Sequence, residues 1–76
     1  MFAAQITPRA LKRLRDEFPP GTRVELVEMS APYDDLPPGM KGEVLVVDDG
    51  GGVEVRWEDG TTLPVLPGLD KIRRIP

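Results

Sequence analysis

With 76 residues, a net charge of −3 and neither cysteine nor histidine, the chain has room for one small core and lacks the side chains of most catalytic and metal centres. A chain of this length buries only about 60–65% of the surface its unfolded form exposes, so its stability margin is thin. The missing histidine removes the usual general base and metal ligand, and the missing cysteine removes disulfides and thiolate zinc sites. The expectation is therefore a protein that is not an enzyme and takes no cofactor.

The charge is uneven. Residues 1–20 carry four basic and two acidic side chains, whereas residues 21–76 carry six and eleven. An acidic body disfavours non-specific attachment to a phosphate backbone. The apolar run Val44 to Val47 is far short of a spanning helix, and Met1 to Gln5 has neither the charged start nor the apolar stretch of a secretory signal. A soluble protein of the cytoplasm, with no membrane partner, is expected.

Thr7-Pro8 is a helix start, since threonine can cap and proline fits a first position that needs no N–H. Leu11, Leu14 and Phe18 follow at helical spacing, and Pro19-Pro20 ends the run, which predicts a helix over about residues 8–18. Three turns are marginal alone, so this stripe must dock. Residues 1–20 thus form an N-terminal helical segment packed on a body of residues 21–76, together one domain.

Arg23 to Leu26 alternates, then Val27 and Met29 break phase, which predicts a bulge or strand end near Leu26. Residues 30–42 form a loop rich in proline and acid, in which Pro38-Gly39 suits the centre of a type II turn. Glu43 to Asp48 is a second strand, apolar at nearly every position and so expected to be covered on both faces. Asp49 to Gly52 reads as a flexible turn rather than a phosphate loop, because no Lys-Ser or Lys-Thr follows.

Val53, Val55 and Trp57 then alternate with Glu54, Arg56 and Glu58. A two-residue Asp-Gly loop would put Leu63 and Val65 on the charged face. A three-residue loop, Glu58-Asp59-Gly60, pairs Trp57 with Thr61, Val55 with Leu63 and Val53 with Val65, and keeps every apolar residue on one side. The buried face decides register, so the three-residue loop with left-handed Gly60 is expected. Trp57 then points inward at one end of the sheet, and Pro64 falls on the outer face of an edge strand. Pro67 to Asp70 reads as a tight turn, and Ile72 to Ile75 as a short last strand. Five short strands in this order, with one long loop after the first, describe an all-β, SH3-like barrel of about five strands preceded by one α-helix.

With these residues in place the chain resembles domain-of-unknown-function family 4314, small domains of bacterial, phage and mobile-element sequences. The resemblance runs through Leu11-Lys12-Arg13-Leu14-Arg15 and Pro20-Gly21-Thr22-Arg23-Val24, then Pro37-Pro38-Gly39 with Gly42 and Val44. It continues in Val47-Asp48-Asp49 with Gly51, Val55-Arg56-Trp57-Glu58-Asp59-Gly60 and Leu66-Pro67-Gly68-Leu69-Asp70. The family often has Asp-Asn-Gly where this chain has Glu58-Asp59-Gly60, and Met-Asp-Asp-Pro where it has Met29-Ser30-Ala31-Pro32. The second change removes acid from that loop and weakens any metal or cation role there. More loosely, Gly39 to Val44 is similar to the glycine-bearing start of KOW-type barrels, many of which contact RNA, and the tryptophan hairpin is similar to peptide-binding barrels. Both are likenesses of fold.

Asp34-Asp35 and Asp48-Asp49 fit no complete cation loop and are expected to be solvated turn acids. Tyr33, Leu36, Pro37 and Met40, with Trp57 at the hairpin end, are the candidate contact residues of a non-catalytic binding or adaptor module with a protein partner, although the loop residues could equally fold down over the barrel end. The alternative is a nucleic-acid-associated module using Lys12, Arg13, Arg15, Arg73 and Arg74, if the helix packs near the last strand. It lacks the aromatic interleaving of single-strand binders.

Overall fold

The computed structural model describes residues 6–30, 36–66 and 68–76. Helix α1 (Pro8–Glu17) is followed by five strands: β1 (Arg23–Glu28), β2 (Lys41–Val47), β3 (Val53–Trp57), β4 (Thr62–Val65) and β5 (Lys71–Arg74). The strands form one open sheet in the order β4-β3-β2-β1-β5, antiparallel throughout. A mostly β domain with a single N-terminal helix is thus observed, consistent with a small barrel-like architecture.

Helix α1 starts as its sequence dictates. The Thr7 side chain accepts the Ala10 N–H at 3.1 Å, and Pro8 occupies the first turn. Phe18 closes the helix, donating its N–H to the Leu14 carbonyl, and is itself buried. Leu11 and Leu14 pack against the core from the same side. Arg15 leaves this stripe and donates to the Val47 carbonyl at 3.2 Å and to Asp49 at 2.8 Å, pinning the helix to the β2–β3 turn.

The core comprises Val24, Leu26, Val44, Val47, Val53, Val55, Trp57 and Val65, together with Phe18 and Leu36. Each large side chain fully removed from water contributes about 1.5–3 kcal/mol. Trp57, the largest, is only 1% exposed. It lies opposite Gly42, where an added Cβ would stand 2.9 Å from the indole, 2.6 Å from Val55 and 2.9 Å from the Arg56 carbonyl. Gly42 is therefore a requirement of packing, because the neighbouring strand and ring fill the space a side chain would need.

The β3–β4 hairpin has the expected register. Val53 faces Val65 and Val55 faces Leu63, while Trp57 donates to the Thr61 carbonyl at 2.8 Å and Gly60 to the Trp57 carbonyl at 2.9 Å. Gly60 takes φ of +93°, the left-handed position that the bulged turn demands. The Pro37–Met40 turn closes with Met40 donating to Pro37 at 3.2 Å, with Pro38-Gly39 at its centre. In β1 the register shifts between Leu26 and Glu28, where the broken alternation placed a bulge.

Two expectations need correction. Strand β2 is not covered on both faces: Val46 is 49% exposed. A register shift between Val44 and Val46 leaves Leu45 as an extra residue, so Val44 and Val47 reach the same core although three positions apart. The glycine turn after β2 is also more ordered in design than a permissive linker. The Asp48 carboxylate accepts the N–H of Gly50 at 2.9 Å and of Gly52 at 2.8 Å, and Gly51 and Gly52 are buried, Gly51 beneath Ile6.

Candidate binding surface

The expected contact residues are not brought together. Leu36 is 3% exposed and Trp57 1%, so both belong to the core and neither offers a face to a partner. The physical reason is that the bulged hairpin register turns the indole inward and the Pro37–Met40 turn drops Leu36 beneath the sheet's end. Pro37 is exposed and Met40 half-buried against the core. Tyr33 lies outside the described residues. The Trp57 Nε1–H is buried and has no acceptor among the described residues.

The expected basic patch is also divided. Lys12 pairs with Asp16 on the helix at 2.7 Å, and Arg15 is committed to the β2–β3 turn. Arg73 donates to Glu25 at 2.9 Å through Nε. Glu25 pairs with Arg73, and Val24 with Arg74, so Arg73 shares the outer face with Glu25 while Arg74 shares the core side with Val24. The helix packs against the core side, opposite Arg73. Arg13 and Arg74 are exposed. Alternation along β5 therefore separates two adjacent arginines that composition alone had grouped.

Asp70 carries structural weight that composition hid. It is 6% exposed and accepts three hydrogen bonds: from Leu66 N at 2.9 Å, Ser30 N at 2.9 Å and Ser30 Oγ at 3.0 Å. Burial alone would raise its carboxyl pKa. The bonds from Ser30 and Leu66 outweigh that effect and hold it below the ordinary value, so it stays ionised. Asp70 thereby clasps the end of β1 to the turn between β4 and β5. Its only sequence signal was its place at the end of the Pro67–Asp70 turn.

Two concave surfaces stand out among the described residues. One is a groove of about 330 Å³ in which Arg23, Lys41 and Arg56 alternate with Glu43 and Glu58. Arg23, Glu43 and Arg56 are cross-strand neighbours, and Glu58 accepts the backbone N–H of Lys41 at 2.9 Å, so the groove mixes three cations with two carboxylates and has no dominant sign. The other is a cleft of about 390 Å³ between the end of α1 and the β4–β5 junction. Leu14, Phe18, Val27, Val53, Val65 and Ile72 give it an apolar lining, to which Glu17, Asp70 and Lys71 add charge. Val27 is the residue set out by the β1 bulge and is 44% exposed. The turn beyond carries Leu66 and Leu69, 40% and 61% exposed. This apolar cleft went unnoticed in the sequence because its lining comes from five elements.

Among the described residues, no three acidic side chains converge on a metal position. No helix among them is long and apolar enough to cross a membrane. No curated protein and no solved structure matches the chain at a significant level. Residues 7–75, which span α1 and all five strands, match the family described as Domain of unknown function (DUF4314), and the chain belongs to that family.

Proposed function

We propose that this domain is a non-catalytic protein-binding module, and that its contact surface is the apolar cleft beside α1 rather than the loop end near Trp57. The observation that carries this reading is the cleft itself: about 390 Å³, lined by Leu14, Phe18, Val53 and Val65, with Val27 left exposed. A mainly apolar concavity with a few charged groups at it, here Glu17, Asp70 and Lys71, suits a side-chain anchor from another protein. The carboxylates with displaced pKa values, Asp59 and Asp70, are both pushed down by hydrogen bonds that build turns, the opposite of a poised general acid. A bacterial, phage or mobile-element setting and a cytoplasmic location belong to the same reading. Nucleic-acid attachment is disfavoured, because Lys12, Arg15 and Arg73 are each paired with a carboxylate and Arg73 stands on the face away from the helix.

The test is site-specific photo-crosslinking in cells that carry the gene naturally. A benzophenone side chain at Val27 should trap one discrete protein, whereas the same group at Asp59, on the hairpin tip, should not. Adducts from Pro37 and Met40 but none from Val27 would return the contact surface to the loop end and sink this placement.

A further inference from the structure

The two edges of the sheet are not equivalent. At the β4 edge, Val53/Val65 and Val55/Leu63 follow the bonded pairing of Trp57 and Thr61 at every second position, so Thr62 and Pro64 turn their backbone groups outward. Pro64 has no N–H to offer, and the next outward donor, Leu66, is held by Asp70 at 2.9 Å. That edge keeps Thr62 as its one outward donor among the described residues.

The β5 edge is different. Ile75 donates to the Arg23 carbonyl at 2.9 Å, which makes Arg23/Ile75 a bonded pair. Alternation then makes Glu25/Arg73 bonded and leaves Val24/Arg74 and Leu26/Ile72 unbonded. The N–H and C=O of Ile72 and Arg74 consequently face away from β1, and no backbone partner for them exists among the described residues. Charge normally guards such an edge. Here Arg73 is paired with Glu25, whereas Lys71, 4.0 Å from Glu28, also lines the cleft, so the edge keeps one loosely held guard beside Ile72. On the core side the edge presents Ile72, which lines the cleft, and then the exposed Arg74.

We infer that β5 accepts an extended peptide segment as a sixth strand, with an apolar side chain entering the cleft beside Ile72 and an acidic one two positions away beside Arg74. This rests on the binding-module reading and names its partner class. Main-chain bonds to Ile72 and Arg74 would give affinity, and the apolar-any-acidic spacing follows from the two-residue period of a strand. The occupant is a protein segment in extended form, not a helix, since a helix offers no free backbone groups to the edge.

The experiment uses the whole ¹⁵N-labelled chain and three synthetic peptides. One has the central sequence Thr-Val-Thr-Glu-Thr, the second replaces its Glu with Lys, and the third is the first with alternate backbone amides methylated. Amide exchange at Ile72 and Arg74 should slow about tenfold or more with the first peptide, with shifts at Val27 and Val65. Methylation should weaken binding about tenfold, the scale of a lost main-chain bond. Arg74→Glu should reverse the preference between the Glu and Lys peptides. Arg74→Pro removes an outward N–H without touching the ladder to β1, so it should fold normally and bind weakly. Equal affinity for the methylated peptide, or shifts confined to Lys41 and the hairpin tip, would overturn strand addition. Crosslinks at Val27 without protection of β5 would overturn it while leaving the binding module standing. Protection of β5 without crosslinks in cells would support the edge chemistry and remove the cellular reading.

Discussion

Asp59 and Asp70 stand at opposite ends of β4 and do similar chemistry in different surroundings. Asp59 accepts the Thr61 N–H at 2.9 Å and its hydroxyl at 2.7 Å, on an exposed tip, from a residue two positions away. Asp70 accepts a serine N–H and hydroxyl in the same way, but from Ser30, forty positions distant, and is almost wholly buried. Both carboxyls are held below the ordinary value. At Asp59 the Thr61 hydroxyl is the main cause; at Asp70 the hydrogen bonds must first overcome burial. The lesson is that one motif has different worth according to what is stranded when it is removed. Water can replace the carboxylate at the tip. At the clasp it does so less readily, and two part-buried backbone donors lose their partner.

The sharpest break is Asp70→Ala. It should lower unfolding stability by about 2–3 kcal/mol, because two part-buried N–H groups lose a charged acceptor. Urea denaturation reads this directly, and an unchanged midpoint would make Asp70 a bystander. Next comes the tip's own backbone. Gly60→Ala should cost about 1–2 kcal/mol, since Gly60 holds φ of +93° while an added Cβ would meet nothing within 4 Å, leaving conformational strain as the sole penalty. Ser30→Ala should cost about 1 kcal/mol by removing one of the clasp's three bonds while its N–H still reaches Asp70.

Protonation is a gentler way to weaken the clasp. Its folded pKa lies below the ordinary aspartate value of 3.8, so the unfolded chain binds the proton more readily in that window. The stabilisation is present above that value and is lost as pH falls through the depressed folded one. Acid titration of Asp70→Asn should show a flatter stability profile than wild type in that range, and an identical slope would contradict this sign. Asp59→Ala should have the smallest effect of all, a thermal midpoint close to that of wild type. If it matched Asp70→Ala, the contrast between the two turns would collapse.

Legibility followed the range of the interactions. The helix start at Thr7-Pro8, the hairpin register around Glu58-Asp59-Gly60 and the bulge near Leu26 depend on a few adjacent residues, and each stands where the local pattern placed it. The phase of β2 did not, because four successive apolar residues carry no alternation from which a bulge at Leu45 could be read. The candidate surface was the least legible part. Trp57 faces inward as the hairpin register placed it, and Leu36 folds into the core with it, so neither serves as a contact, whereas Val27, Val65 and Ile72 looked like ordinary strand residues and line the cleft.

By its own pattern the chain determined a helix, five short strands, the turns that join them and which side of the β3–β4 hairpin is apolar. These follow from spacing, from proline and glycine, and from the two-residue period of strands. Only the folded sheet decided that Arg73 and Arg74 part to opposite faces, that Asp70 closes on Ser30, and that β4 offers fewer outward donors than β5. Those outcomes depend on which strand lies beside which, and neighbours across a sheet are chosen by packing over the whole core rather than by the residues next in line.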